Sequence, residues 1–407
     1  MNSEKSRGSP ILPVALLLGA VTGGIVWLFL KLLEVGTFFL WETLPSWFEF
    51  NFYPLAICLL GGVLIGLWRK KFGAYPEEFE SVIELVKKTK RYDSRLVSVL
   101  IVSSILPLMF GGSVGPEAGL VGITAALCTW VGDRFKHVHK EMSSITQVGI
   151  SASLSTLFTA PLFGFLTQVE GENQDNAFPG RSKMIVYFSA IFSGIGMLFL
   201  LTSLFGGGMA FERFGEAQVG EYEMLLFLPF ALVGVIAGNV FNLADKLIGN
   251  LTKSFEGAPF TGALIGGLLL GVCGIVIPLV MFSGEEQMFE LSETWLIITP
   301  AMLMLTGLVK LLLINICVHT GWRGGHIIPI IFAGACFGYA AAAFTGANEI
   351  FAVAAVTSAL CGAVMRKPLA VIMVLLIFFP MKNIIVLSLA AFIGAFLTFK
   401  ENQKNEK

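Results

Sequence analysis

The chain has 407 residues, of which 55% are hydrophobic and only 14% charged, and its formal net charge at pH 7 is −1. A soluble domain carries about 25% charged residues because water must cover its surface, so this composition excludes a soluble protein. The near-zero charge also argues against a nucleic-acid partner. We therefore predict an integral membrane protein whose surroundings are the lipid bilayer.

The first membrane helix is predicted directly after a short polar segment. Lys5 and Arg7 precede an apolar run that starts at Ile11 and passes Leu30, which is longer than the core of a cleaved signal peptide. Basic residues before a first helix favour a cytoplasmic N-terminus. We predict a cytoplasmic segment at 1–10, an uncleaved helix after it, and a multi-pass protein of the inner (plasma) membrane.

Several later apolar stretches are interrupted by glycine and proline. Some are too short for a plain membrane helix, which needs about 20 residues. Backbone polar groups at such breaks survive inside a membrane only where protein buries them or a polar cavity surrounds them. The breaks are therefore the places where we expect a functional site.

The breaks recur along the chain at a nearly constant offset. The matched pairs are Glu77 and Glu285, 208 residues apart, Gly115 and Gly325, 210 apart, and Pro161 and Pro368, 207 apart. We predict a first membrane repeat at 11–205, a second at 206–399 and a polar C-terminal tail at 400–407. Transporters commonly place such halves in inverted topology, with the site at their interface. The predicted fold is an all-α polytopic membrane protein with two inverted-topology repeats and broken helices.

The two glycine-rich breaks have the chemistry of an anion site. Each precedes a helix whose free N–H groups and partial positive charge favour an anion, and glycine lets the backbone approach it closely. Two such helix ends, aimed at one point near the membrane midplane, would hold a dehydrated halide-sized anion and still release it. The structural alternative is a pair of small-residue packing motifs.

These motifs resemble the CLC chloride channels and anion/proton antiporters over nearly the whole chain. The run from Gly112 to Pro116 is similar to the family's G-K/R-E-G-P, the run from Gly325 to Pro329 to its G-x-F-x-P, and Ala160-Pro161-Leu162 to part of its N-A-P-L-A-G. The resemblance implies a homodimer with one pore per subunit, chloride or other small monovalent anions as cargo, and no cofactor. The anion-binding positions, mainly backbone amides, match Gly112, Ser113, Val114, Gly115, Gly325, His326 and Ile327.

Most side chains that gate the family's pore are replaced in this chain. The gating glutamate falls on Val114, the antiporters' intracellular proton glutamate on Gly171, and the anion-contacting serine on Gly73. Gly73, Ala74 and Tyr75 form the matching first-half turn near the pore. Because neither Val114 nor Gly171 can carry a proton, we predict passive, channel-like movement of chloride or fluoride, with Val114 at the gating position.

Glu117 keeps a second mechanism open. The pattern resembles a small bacterial branch of the family in which a glutamate follows Gly-Pro, as Glu117 does here. A buried carboxylate near an anion can carry protons, so Glu117 and Glu170 are the candidate relays of an anion/proton antiporter. Alternatively, Glu117 is a structural carboxylate that bonds nearby amides or a neighbouring helix. A non-transporting membrane scaffold is the third function class.

Two cations are candidates for attracting anions. Lys310 interrupts an apolar run, and a lysine inside a membrane is costly and often functional. Arg323 immediately precedes Gly324-Gly325, where it could raise the anion concentration at a pore mouth. The structural alternatives are pairing or snorkelling for Lys310 and interfacial anchoring for Arg323. The six cysteines contain no C-x-x-C pair and the chain has no hydrolase or nucleotide-binding motif, so we expect neither a metal site nor an enzyme.

Overall fold

The computed structural model describes residues 11–47, 50–89, 92–93, 97–134, 142–170, 181–208, 211–255 and 257–398. Within these ranges the protein is helical, with sixteen α-helices, short 3-10 and π turns, and a single isolated β-bridge. The all-α architecture is thus confirmed. The predicted segments at 1–10 and 400–407, and Gly171, lie outside the described residues.

The helices divide into two series of eight in chain order. The first series is α1 (Ile11–Phe38), α2 (Tyr53–Phe72), α3 (Phe79–Thr89), α4 (Val97–Met109), α5 (Glu117–Arg134), α6 (Met142–Leu157), α7 (Pro161–Val169) and α8 (Arg181–Phe205). The second is α9 (Glu221–Thr252), α10 (Pro259–Val276), α11 (Glu285–Thr294), α12 (Pro300–Thr320), α13 (Ile327–Thr345), α14 (Glu349–Met365), α15 (Pro368–Leu375) and α16 (Ile384–Leu397). Each helix of the first series has a counterpart at the same place in the second.

Six helical stretches of the described chain are long and apolar enough to cross a membrane. They are Leu12–Trp47, Lys183–Phe205, Glu221–Phe255, Pro259–Val276, Pro300–Thr320 and Ile327–Thr345. Large apolar side chains such as Leu17 and Ile236 are exposed on their outer faces. Lipid solvates such side chains, whereas water would not, so the structure is that of a multi-pass membrane protein.

The helix contacts follow an internal two-fold relation. Within the halves, α1 packs on α8 as α9 packs on α16, and α5 packs on α6 as α13 packs on α14. Between the halves, counterparts meet each other, α2 against α10 and α7 against α15. Contact between counterpart elements is the arrangement that a two-fold axis through the centre of the molecule produces, as inverted repeats require.

Small residues bring the counterpart helices together at the centre. A Cβ on Gly62 of α2 would lie 2.7 Å from the Ala263 carbonyl oxygen of α10, and a Cβ on Gly267 of α10 would overlap the Cys58 carbonyl of α2. Glycine at these positions lets the backbones approach, as membrane helices require. The helices α13 and α14 are almost wholly buried, so the break before α13 lies deep inside the protein.

Candidate functional site

The two predicted breaks meet at the centre of the molecule through a pair of backbone hydrogen bonds. The Gly115 N–H donates to the Gly325 carbonyl and the Gly325 N–H donates to the Gly115 carbonyl, both at an N···O distance of 2.7 Å. This antiparallel bridge joins equivalent residues of the two halves. The internal two-fold axis therefore passes between Gly115 and Gly325.

Most of the predicted anion-binding amides already donate to protein carbonyls in this structure. Besides the mutual pair of Gly115 and Gly325, the Gly112 N–H donates to Pro107 and the Val114 N–H to Gly112, both at 2.8 Å. An anion held by these four amides would have to replace those bonds. Their anion-binding role stays a prediction, and the structure presents the breaks in a closed arrangement.

Glu117 crosses from the first half to the helix end of the second. Its side chain is fully buried in the first turn of α5, and its Oε1 accepts the Ile327 N–H at 2.7 Å. Oε2 has no hydrogen-bond partner among the described residues. The carboxylate thus occupies the N-terminus of α13, where the sequence predicted an anion, and it contacts a neighbouring helix as the structural alternative proposed.

The bridge glycines make the space in which this carboxylate lies. A Cβ on Gly325 would overlap the Glu117 carboxyl group, and a Cβ on Gly115 would overlap its Oε2. His326 follows Gly325 in the chain, and its ring packs against Phe241 with centroids 5.9 Å apart. The backbone of both breaks is therefore shaped around one carboxylate.

Val114 and Ser113 are fully buried beside the bridge. The Val114 side chain packs against Gly324 of the opposite half, so that a Cβ on Gly324 would lie 2.6 Å from Val114 Cγ2. The Ser113 hydroxyl has no hydrogen-bond partner in the described part of the chain. A gating role for Val114 stays a prediction, while Ser113 offers an unused donor at the break.

Lys310 donates all three of its ammonium protons to backbone carbonyls of one turn. This fully buried residue of α12 donates to the carbonyls of Val280 and Met281, each at 3.1 Å, and of Phe282 at 2.7 Å. An ammonium group has three donors, so none is left for an anion. The geometry gives Lys310 a structural contact, and attraction of anions by its charge remains a prediction.

Arg323 ties the first-half turn to the second break. Its Nη1 donates to the Ala74 carbonyl at 2.9 Å and to the Pro76 carbonyl at 3.4 Å. Gly73 ends α2 with a φ of 96°, and Tyr75 is half-buried in the same turn. The predicted turn near the pore and the predicted cation are thus adjacent.

Arg69 was missed by the sequence reasoning. It lies in the last turn of α2, and its Nη1 donates to the Thr320 carbonyl at the end of α12, at 3.2 Å. In the sequence, a basic residue at the end of an apolar helix indicates only an anchor at the membrane interface. Only the fold brings the end of α2 to the end of α12, which precedes Arg323 in the chain.

Glu170 also crosses between the halves, at the other broken pair. Its Oε1 accepts the Leu369 N–H at 2.9 Å and its Oε2 accepts the Ala370 N–H at 2.7 Å. Both oxygens therefore cap the first turn of α15. A relay role for Glu170 stays a prediction.

The comparisons with known proteins agree with this architecture. The family model described as voltage gated chloride channel matches residues 61–399. The chain belongs to this chloride channel family. Its members are anion channels and transporters, so the chain is an anion-transport protein of the membrane.

Relatives and solved structures are distant in sequence but similar in length. YfeO of Salmonella choleraesuis, named as a candidate ion-transport protein, is 23% identical over 336 residues, 80% of this chain and 78% of that protein. A CLC-type fluoride/proton antiporter has a TM-score of 0.79 at 18% identity over 98% of this chain and 97% of that chain. A slow cyanobacterial Cl⁻/H⁺ antiporter has a TM-score of 0.73 at 18% identity over 95% and 94%. At this identity the structural likeness establishes the CLC fold alone.

Proposed function

We propose that this CLC protein exchanges chloride or fluoride for protons, with Glu117 as the protonatable gate. The observation that carries the proposal is the Glu117 carboxylate at the N-terminus of α13, 2.7 Å from the Ile327 amide nitrogen. An ionised carboxylate is itself a small anion. Its place at a helix N-terminus is the place where a transported anion would be stabilised.

Competition for that place couples the two ions. When Glu117 is ionised, it holds the α13 amide and excludes a second negative charge from the same buried volume. When it binds a proton, it loses the charge that the helix end attracts, and an anion can replace it. Anion entry and proton uptake then belong to one cycle, as in the fluoride/proton antiporter whose fold is similar.

The second candidate is the passive, uncoupled channel. Val114 favours it, because this fully buried side chain stands where the family's gating glutamate falls and carries no proton. In this mechanism Glu117 would be a fixed structural group and anions would pass without proton movement. The two candidates differ in one measurable quantity, the number of protons moved per anion.

We also propose that the protein works as a homodimer in the inner (plasma) membrane, with one pore per subunit. The proposal rests on family membership and on the broad apolar faces of α8 and α16, where Phe199 and Phe396 are exposed. The mass of the purified protein in detergent, measured by light scattering, should equal two chains. A mass of one chain would contradict this part of the proposal.

The test of transport is simultaneous recording of anion efflux and proton uptake in liposomes that contain the purified protein. The native chain is expected to move both ions. Glu117→Gln keeps the shape and one acceptor oxygen but removes the charge, so proton movement should fall to background while anion flux continues. Glu290→Gln, an exposed acid on α11, is the matched control and should behave like the native chain.

Each other outcome has a definite meaning. Anion flux without protons in the native chain, unchanged by Glu117→Gln, would contradict the gate and support the passive channel. Absence of chloride and fluoride flux in every variant would contradict transport and favour the non-transporting scaffold.

A further inference from the structure

The proposed exchange needs a path for protons between Glu117 and the cytoplasmic side of the membrane. The position that matches the antiporters' intracellular proton glutamate is Gly171, whose side chain carries no proton. The neighbouring Glu170 has both carboxylate oxygens bonded to amides of α15. Protons therefore need another set of polar groups to cross the first half.

The first break lies far from the cytoplasmic start of α1. Trp41, which follows α1, donates to the Met109 carbonyl just before that break. Near the other end of α1, Leu18 approaches α6, where a Cβ on Gly149 would lie 3.8 Å from Leu18 Cδ2. Because α1 is predicted to begin on the cytoplasmic side, Gly149 is nearer the cytoplasm than the break is.

One face of α5 carries polar side chains from Glu117 to the level of Gly149. Thr124 and Cys128 follow Glu117 after about two and three helical turns, so the three residues share a face. This face packs on α6, because a Cβ on Gly149 would overlap the Cys128 sulfur and lie 3.4 Å from Thr124 Cγ2. The face leads about 16 Å along α5 toward the cytoplasm.

The facing side of α6 adds Ser153. This residue follows Gly149 by about one turn, so it shares the side that packs on α5. The neighbouring hydroxyls of α6 face α7 instead, since Ser151 donates to the Gly164 carbonyl at 3.0 Å and Ser155 accepts the Gly164 N–H at 3.2 Å. Ser153 therefore belongs to the α5 contact.

The polar seam between α5 and α6, formed by Glu117, Thr124, Cys128, Gly149 and Ser153, contains three oxygen atoms without partners. Glu117 Oε2, Thr124 Oγ1 and Ser153 Oγ are buried and have no hydrogen-bond partner within the described chain. A buried oxygen left unpaired is unfavourable, and bound water commonly satisfies such groups in proteins. Three such oxygens along one seam point to water as their ligand.

We propose that water molecules bound by Thr124 and Ser153 connect Glu117 to the cytoplasmic side and conduct the protons of the exchange. The proposal rests on the proposed transport function and gives it a proton path that avoids α7. Each water accepts a proton on its oxygen and releases one of its own, so one proton crosses and no proton is consumed. Thr124 and Ser153 are positioning residues, because they hold the water in line by hydrogen bonds.

The number of protons moved per anion tests the path in liposomes that contain the full-length protein. Thr124→Val keeps the shape of the side chain and removes its hydroxyl, and Ser153→Ala removes the second hydroxyl. A proton on Glu117 would then return to the side from which it came, so the double variant should move about tenfold fewer protons per anion while anion flux continues. Ser151→Ala, which removes a hydroxyl on the α7 side of α6, is the matched control and should keep the native ratio.

Two further measurements separate a proton path from a structural role. Thr124→Ser keeps a hydroxyl and should recover the native ratio. In detergent, Thr124→Val should still take up a proton when it binds chloride or fluoride, because Glu117 remains open to protons from the other side, whereas Glu117→Gln should take up none.

The outcomes that contradict the path differ from those that contradict transport. A native number of protons per anion in the double variant, in protein that keeps its native unfolding temperature, would overturn the path alone. If the double variant does not fold, Ser153→Ala is compared with Ser151→Ala, and equal ratios would overturn the path in the same way. A native chain that moves anions without protons would overturn the exchange and the path together.

Discussion

At the scale of single residues, Glu117 and the two bridge glycines behave as one unit. The carboxylate accepts the Ile327 N–H, and its volume is the volume that a Cβ on Gly115 or Gly325 would need. An ionised carboxylate and a halide cannot share that buried space. Glu117 supplies the carboxylate at the N-terminus of α13, and the two glycines leave the space for it.

The variant Gly325→Ala tests this packing. The new methyl group should push the carboxylate away from Ile327 and destabilise the protein by about 1–3 kcal/mol, measured by thermal or denaturant unfolding in detergent. Adding Glu117→Ala should recover most of the loss, because the clash is with that side chain. Gly196→Ala is the control, since its Cβ would meet nothing within 4 Å. If Gly325→Ala and the control are equally stable, the close packing of the Glu117 carboxyl group against Gly325 is contradicted.

At the scale of helices, α12 is fastened to the connection between α10 and α11 by Lys310. The ammonium group joins three successive carbonyls, those of Val280, Met281 and Phe282, and lies 5.2 Å from the ring centre of Phe332. The sequence suggested a functional role for this lysine. In the structure it supplies hydrogen-bond donors to carbonyls that the interrupted segment between α10 and α11 would otherwise leave unpaired.

Lys310→Met should destabilise the protein, because the methionine fills a similar volume but leaves the three carbonyls without donors. The expected loss is about 1–3 kcal/mol for each carbonyl that water does not reach. Lys253→Met, at an exposed lysine, should leave the unfolding temperature unchanged. A Lys310→Met protein of native stability but with weakened anion binding would instead favour electrostatic attraction of anions.

Glu170 fastens α15 to α7 in the same way. Glu170→Gln keeps one acceptor oxygen for the Leu369 and Ala370 amides and loses the charge at the helix N-terminus. We expect a stability loss of about 1 kcal/mol and an unchanged number of protons per anion. A fall in proton movement at constant anion flux would identify Glu170 as a relay after all.

At the scale of the whole molecule, the two halves share the order and packing of their helices but differ in side chains. The residue equivalent to Glu117, at an offset of 210, is Ile327, so one half supplies the carboxylate and the other supplies the amide. At the Gly115–Gly325 bridge, the carboxylate therefore comes from the first half and the amide that binds it from the second.

The two ends of α2 also face different charges. A cavity of about 340 Å³ lies near Trp41, beside the start of α2, and its lining includes Glu34, Glu42, Glu285 and Glu286. The basic last turn of α2, with Arg69, Lys70 and Lys71, lies at the other end, about 24 Å away along the helix axis. The acidic end favours protons and the basic end favours anions, which agrees with exchange of the two ions.

The sequence predicted the features that occur in both halves, namely the paired helix breaks. The offsets near 208 residues indicated two homologous halves and paired Gly115 with Gly325, and the inverted topology was expected from the habit of membrane transporters. What the sequence could not predict is the reach of side chains between the halves. The contact from Glu117 to Ile327 and the contact from Arg69 to the Thr320 carbonyl join residues that are 210 and 251 positions apart, so they depend on how the two halves pack.

The central claim is that an anion and the ionised Glu117 compete for one place. Proton uptake during anion binding measures this competition most directly, in weakly buffered detergent solution with a pH electrode and a calorimeter. The native protein is expected to take up close to one proton for each anion bound at the central site, and Glu117→Gln none, because its side chain is already neutral. Anion binding to the native protein without proton uptake, or equal uptake by Glu117→Gln, would contradict the account.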